Sequence, residues 1–248
     1  MLKNLSKLPE EMRRVVEWYG SEMLKIHQDN LLSIIVYGSA VGDDYISKKS
    51  NINLAIIFDH LKIDDLNKSL KLVSKGQKKR IIVPLFLTDE YIKTSTDVFP
   101  IEFLEIKENY LLIYGEDFLE KLEIGREYLK LQCEQQLKGK LIRLRQAYLE
   151  IGRSKKAITQ LILESFSALI PVIRNLLRLK EGIISYHKED LLNKAAEHLK
   201  IDLDLFKKIL NLKKGSKISK RAELEEVYNK YMEEILKMAI MADEMKVA

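Results

Sequence analysis

The first 115 residues alternate between short apolar runs and longer amphipathic stretches, which predicts strands separated by helices. Three apolar runs rich in β-branched residues predict strands, at 32–37, 53–58 and 81–87. Short, continuous apolar runs of this kind are typical of strands that are buried on both faces of a sheet. Pro84 interrupts the third run. Because proline lacks a ladder donor, that strand is expected at a sheet edge or beside a bulge.

Helical patterns lie around these strands. Pro9 followed by two glutamates indicates a helix that begins there and continues to about His27. A second helix is predicted over 61–76. Residues 101–107 and 110–114 are predicted to form a hairpin. The first part of the chain is therefore expected to be α+β around a mixed sheet.

After Gly115 the pattern changes to apolar residues at helical spacing. Five helices are predicted, at 119–151, 154–181, 188–199, 203–213 and 219–245. Gly152, Gly182 and Gly215 fall where helices would end. The chain is therefore divided into an α+β domain, 1–117, and an all-α helical bundle domain, 118–248.

The amino-acid composition indicates a globular protein. Charged residues make up 32% of the 248 residues and hydrophobic residues 46%, which is typical of a globular chain. The single cysteine, Cys133, excludes an internal disulfide and fits a cytoplasmic location. No apolar run approaches the roughly 20 residues of a membrane span, so no membrane partner is expected. Abundant Lys, Glu and Ile also fit a thermophilic source.

Charge is distributed unevenly between the two parts. Residues 1–120 hold 16 Lys and Arg against 19 Asp and Glu, a net charge of −3, which leaves +8 for the rest of the chain. Five basic residues cluster in the first long helix predicted after Gly115: Arg126, Lys130, Lys138, Arg143 and Arg145. They form either an anion-binding face or a solvated face paired with neighbouring glutamates.

Residues with candidate chemistry surround the turn after the first strand. Gly38 lets the backbone turn and approach a ligand closely, and Ser39 offers a hydroxyl and an N–H to a phosphate. Eleven residues, 40–50, lead to Asn51-Ile52-Asn53 and the second strand. Alternation places the side chains of Asn51 and Asn53 on one face. The expected arrangement is one cleft that contains Gly38, Ser39, Asn51 and Asn53.

This arrangement resembles the nucleotidyltransferase superfamily, which includes polymerase beta and kanamycin nucleotidyltransferase. The resemblance rests on Gly38-Ser39, the gap and the Ser50-x-Ile52-x-Leu54 frame, and it covers about residues 30–115. It implies a nucleotide-binding sheet domain followed by a helical domain. It also implies two acids at positions 51 and 53, and a third on a later strand, which together hold two Mg²⁺ ions.

The chain departs from that pattern at each acid. Positions 51 and 53 are asparagines, and 81–87 contains no acid. Neutral amide oxygens are poorer ligands than carboxylates for Mg²⁺, so no metal site and no cofactor are predicted. Glu102 is the nearest candidate substitute, and Asp43 or Asp44 could reach in from the loop. Mg²⁺ is expected only if such acids complete the site.

Three functions remain open from the sequence. The first is a catalytically degenerate pseudoenzyme that binds a nucleotide such as an NTP, or a protein or RNA partner through its basic helical domain. The second is an active metal-dependent transferase acting on a small molecule or protein. The third is an antitoxin-like or scaffold module without a ligand. An RNase of the HEPN type is disfavoured, because no His lies within six residues after Arg174 or Arg178.

Overall fold

The computed structural model describes residues 1–41, 51–152 and 154–246. The chain forms two compact units, Met1–Ile124 and Gly125–Ala248. The sequence placed the boundary between residues 117 and 118, seven residues earlier. Residues 118–124 group with the first unit because Leu119 is buried in its core, where Leu122 and Ile124 pack beside it.

The first unit contains a four-stranded mixed sheet in the described residues. Its elements are, in chain order, α1 (Glu10–His27), β1 (Leu31–Tyr37), β2 (Asn53–Phe58), α2 (Ile63–Gln77), β3 (Leu85–Thr88), α3 (Asp89–Thr94), α4 (Pro100–Glu108) and β4 (Tyr110–Gly115). The strand order is β3-β2-β1-β4. Strand β1 is antiparallel to β2 and β4, whereas β2 and β3 are parallel. The predicted α+β fold and mixed sheet are confirmed.

Both faces of the central strands are buried, as their continuous apolar runs predicted. Ile34 and Ile56 join one core cluster with residues of α1 and α2. Ile35 and Ile57 join a second cluster on the other face with residues of α3 and α4. Strand β3 differs. It lies at the sheet edge, as Pro84 predicted, but its side chains are exposed or only partly buried, so the prediction of burial on both faces was wrong there.

The predicted hairpin at 101–107 and 110–114 was also wrong in its first half. Residues 100–108 form helix α4, and only 110–115 form a strand. Pro100 occupies the first turn of that helix, where its missing N–H costs nothing. Phe103 and Ile106, one helical turn apart, are buried beneath the sheet. The apolar spacing of this short segment fits a helix and a strand almost equally, and packing against the sheet favours the helix.

The second unit consists of five helices in the described residues. They are α5 (Arg126–Ile151), α6 (Lys155–Glu181), α7 (Lys188–Leu199), α8 (Leu203–Lys213) and α9 (Arg221–Glu244). The predicted helical content is confirmed, except that α5 begins at Arg126 rather than at 119. Gly152 and Gly182 cap α5 and α6 with positive φ angles of 58° and 68°, a conformation that glycine adopts without strain.

Helix α6 is the core helix of this unit. Among the described residues it alone has the length and apolar composition of a membrane span. It packs against α5, α7, α8 and α9, and twelve of its residues are buried. Such coverage is typical of the central helix of a globular bundle.

Candidate functional site

The turn after β1 depends on a glycine. Gly38 has a φ of +76° and begins a short 3-10 turn, Gly38–Ala40, that includes Ser39. Its N–H donates to the carbonyl of Asn109 at 2.8 Å, and its own carbonyl accepts from the N–H of Val41 at 3.0 Å. These bonds fix the turn between the end of β1 and the start of β4. Any residue other than glycine would be strained in this left-handed conformation.

The side chain of Asn53 lies against this turn. Asn53 opens β2 and is in register with Tyr37, the last residue of β1. A β-carbon built on Gly38 would stand 3.0 Å from the Asn53 amide nitrogen, closer than ordinary contact. The structure therefore brings Gly38 and Asn53 together, and the glycine leaves the space that the amide occupies. An amide NH₂ at this place is a hydrogen-bond donor.

Asn51 lies at the entrance to the same strand. It is exposed, whereas Ile52 beside it is buried and forms a parallel bridge with Ile81. Ile52 and Leu54 both belong to the core cluster beneath α1 and α2. Because strand side chains alternate, Asn51 and Asn53 face the other way, on one side of the sheet.

The neighbouring segment contributes no acid. The Ile52–Ile81 bridge aligns residues 81–83 with the entrance of β2, and these residues are all apolar. Ile82 and Val83 are 47% and 56% exposed, so apolar side chains meet solvent where the family pattern implies a carboxylate. Across residues 1–41, 51–152 and 154–246, no three His, Cys, Asp or Glu side chains are grouped so as to hold a metal ion.

The substitute acids suggested by the sequence are placed differently. Glu102 lies in the first turn of α4 rather than on a strand, and its side chain is exposed. Asp43 and Asp44 lie outside the described residues. Helix α4 packs through Phe103 and Ile106 on the sheet face of Ala55 and Ile57, which is also the face of Asn51 and Asn53, so Glu102 stays the candidate substitute acid.

Two tyrosines border the turn on the strands beside it. Tyr37 pairs in register with both Asn53 and Tyr110. Burial raises the pKa of the Tyr37 hydroxyl above its ordinary value. Burial also raises the pKa of Tyr110, whose hydroxyl donates to Asp117 at 2.8 Å. Both hydroxyls stay neutral near pH 7, so they add no negative charge around Gly38. No pattern in the sequence indicates that Tyr37 or Tyr110 borders the turn.

The basic residues of α5 fall into two groups. Three are engaged within the second unit: Arg126 donates to the carbonyl of Leu179, Lys130 donates to that of Asp243, and Lys138 pairs with Glu134. Arg143 and Arg145 instead line two separate grooves of this unit. The five residues therefore do not form the single anion-binding face that the sequence allowed.

Comparisons with known proteins identify the fold. No protein-family model matches the chain, and no curated protein matches it. Among solved structures it resembles spectinomycin adenyltransferase AAD(9) from Enterococcus faecialis, determined with ATP and spectinomycin. The two share 14% sequence identity and a TM-score of 0.56, and the match covers 91% of this chain and 98% of the other. The resemblance to nucleotidyltransferases inferred from Gly38-Ser39 is thus confirmed as a shared fold.

Proposed function

We propose that the first unit binds the phosphate groups of a nucleotide at the Gly38 turn and does not catalyse nucleotidyl transfer. The observation that supports this most directly is the position of the Asn53 amide against Gly38. An amide NH₂ is a suitable donor to phosphate oxygens, as are backbone N–H groups of the turn other than those of Gly38 and Val41, which bond within the protein.

Charge supports binding without a metal. In the transferases that the fold resembles, carboxylates at these positions hold Mg²⁺, which in turn neutralises the phosphates. Asn51 and Asn53 are neutral. They do not repel a phosphate, so the cation is not needed to bring the two together. The same neutrality removes the anionic oxygens that a catalytic Mg²⁺ requires.

Binding and transfer can be tested separately. Calorimetric titration of the full chain with ATP should give measurable binding, and labelled NTPs with Mg²⁺ or Mn²⁺ should give no transfer above background. If ATP did not bind, the proposal would be wrong. Transfer of label to an acceptor would replace it with the active-enzyme alternative.

That alternative has one specific observation in its favour. The structural likeness to an adenyltransferase determined with ATP and spectinomycin extends over both units rather than over the sheet alone. An active enzyme of this kind would transfer a nucleotidyl group to a small molecule, with an acid such as Glu102 recruited to the site. If Glu102→Ala abolished an observed transfer while Glu90→Ala, an exposed acid of α3, did not, the alternative would be supported.

A further inference from the structure

Two cationic side chains, Lys140 and Arg143, line a groove between α5 and α6 in the second unit. Its volume is about 520 Å³, the size of a small-molecule site. Lys140 and Arg143 line it from α5, and Glu164 and Ser165 line it from α6. All belong to the second unit, so the groove is separate from the Gly38 turn.

The two cations are not paired with an acid. Neither Lys140 nor Arg143 makes an ion pair or hydrogen bond within the described part of the chain, whereas Lys138 of the same helix pairs with Glu134. Glu164, the acid of the groove, is exposed and accepts from Gln160 at 2.6 Å. Like charges three residues apart on a helix repel, so this pair destabilises the empty protein.

The environment of Lys140 strengthens this point. Its side chain is partly buried, and burial lowers the pKa of its ammonium group below the ordinary lysine value. The charge of Arg143 lowers that pKa further. A lysine that is partly desolvated beside another cation would gain from an anion between the two.

The remaining lining indicates what kind of anion fits. Apart from Gln136, the rest of the wall is apolar: Leu144, Ala147, Leu161 and Ala168. Inorganic phosphate would fill only part of the space and leave these side chains uncovered. An anion attached to an apolar or aromatic body would cover both parts of the groove.

We propose that this groove binds a small organic phosphate, with Lys140 and Arg143 holding the phosphate group and the apolar wall contacting the organic part. A guanidinium offers a planar fork of donors and a lysine adds a compact charge, which together suit a phosphate dianion. The site is distinct from the proposed nucleotide site at Gly38 and does not depend on it.

The test uses the full chain with labelled alanine methyl groups. Ala147 and Ala168 report on the groove, and Ala40 reports on the Gly38 turn. Titration with AMP should shift the signals of Ala147 and Ala168, with tighter binding than for inorganic phosphate. Equal affinities would overturn the organic part of the proposal, and no shift at these two alanines would overturn the site itself. A shift at Ala40 alone would favour the Gly38 site only.

Substitutions then identify the groups that bind. Loss of one charge-assisted contact should weaken AMP binding roughly tenfold in Lys140→Met. Lys140→Arg should retain binding, and Lys156→Met, an exposed lysine of α6, should leave it unchanged. Unaltered affinity in Lys140→Met would overturn the role of Lys140.

Thermal stability provides a check that the Lys140→Met variant is folded. Because that substitution removes a desolvated charge, its Tm in phosphate-free buffer should equal or exceed that of the parent. At the same AMP concentration, the rise in Tm should be smaller in the variant than in the parent. An equal rise in both proteins would contradict the proposal.

Discussion

The imidazole of His27 lies 2.7 Å from the hydroxyl of Ser69, joining the end of α1 to α2 inside the first unit. His27 is only 6% exposed, and its ring packs edge-on against Phe58. Burial lowers the pKa of His27 below 6.5, and this effect exceeds the opposing attraction of Asp65. The histidine is therefore neutral in the folded protein at neutral pH.

This burial predicts a pH dependence of stability. Because the folded pKa of His27 is lower than the unfolded value of 6.5, the unfolded chain binds the proton more tightly. The contribution of neutral His27 to the free energy of unfolding is fully present above pH 6.5. It is lost as the pH falls from 6.5 towards the folded pKa. Urea unfolding of the parent across this range should show the loss. His27→Gln should reduce the dependence, while His60→Gln, an exposed histidine, should preserve it.

Gly38→Ala should impair both the fold of the turn and any ligand that it binds. The substitution places a methyl group at a φ of +76° and 3.0 Å from the Asn53 amide. Left-handed strain alone costs roughly 1–2 kcal/mol per residue, and displacement of Asn53 adds to this. Gly182→Ala is the matched control, since its left-handed φ is +68° with nothing within 4 Å. Chemical unfolding should show a larger loss for Gly38→Ala, and equal losses would mean that Asn53 does not crowd the turn.

Restoring carboxylates tests whether the two asparagines account for the predicted loss of metal binding. Asn51→Asp combined with Asn53→Asp places two anionic oxygens on one side of β2, so affinity for Mn²⁺ should rise. Without metal the two charges repel, so the Tm should fall and then recover when Mn²⁺ is added. Calorimetry should detect heats absent from the parent. The control is Asn67→Asp with Asn193→Asp on exposed helical positions, and a similar gain there would refute a specific site.

Glu234 is a structural acid of the second unit. It is 4% exposed, accepts from the backbone N–H of Asp202 at 3.1 Å, and pairs with Lys237. Glu234→Ala leaves that N–H without its acceptor, at a cost of about 1–3 kcal/mol. Glu233→Ala, next to it and exposed, should cost far less. Thermal unfolding of both variants measures the difference, and similar Tm values would show that the buried contact is unimportant.

The sequence predicted the elements with long, consistent patterns. Strand β2 and helices α7 and α8 have the bounds that their apolar spacing indicated. In each of them the spacing of the buried residues follows the period of the element. Helix α4 was missed because nine residues make too few turns for their apolar spacing to distinguish the helical period from the strand period. Its structure is decided by contacts with Ile35 and Ile57, which are distant in sequence.

The same distinction applies to the candidate sites. Gly38 and Asn53 were predictable together because Gly38 follows the end of β1 and Asn53 begins β2, the adjacent strand of the same motif. Lys140 was not selected from the sequence, since its significance depends on α6 packing beside α5 and on Lys140 having no ion pair in the described part of the chain. Such surroundings arise from tertiary packing, which one helix pattern does not contain.

We propose above that a nucleotide binds at the Gly38 turn without a divalent cation. The most direct measurement is titration of ATP into the parent protein, once with Mg²⁺ and once with a chelator, while the Ala40 methyl signal is monitored. We expect a shift of Ala40 with similar affinity in both conditions, and a weaker response in Gly38→Ala. Binding that requires Mg²⁺, or ATP binding that leaves Ala40 unchanged, would contradict it.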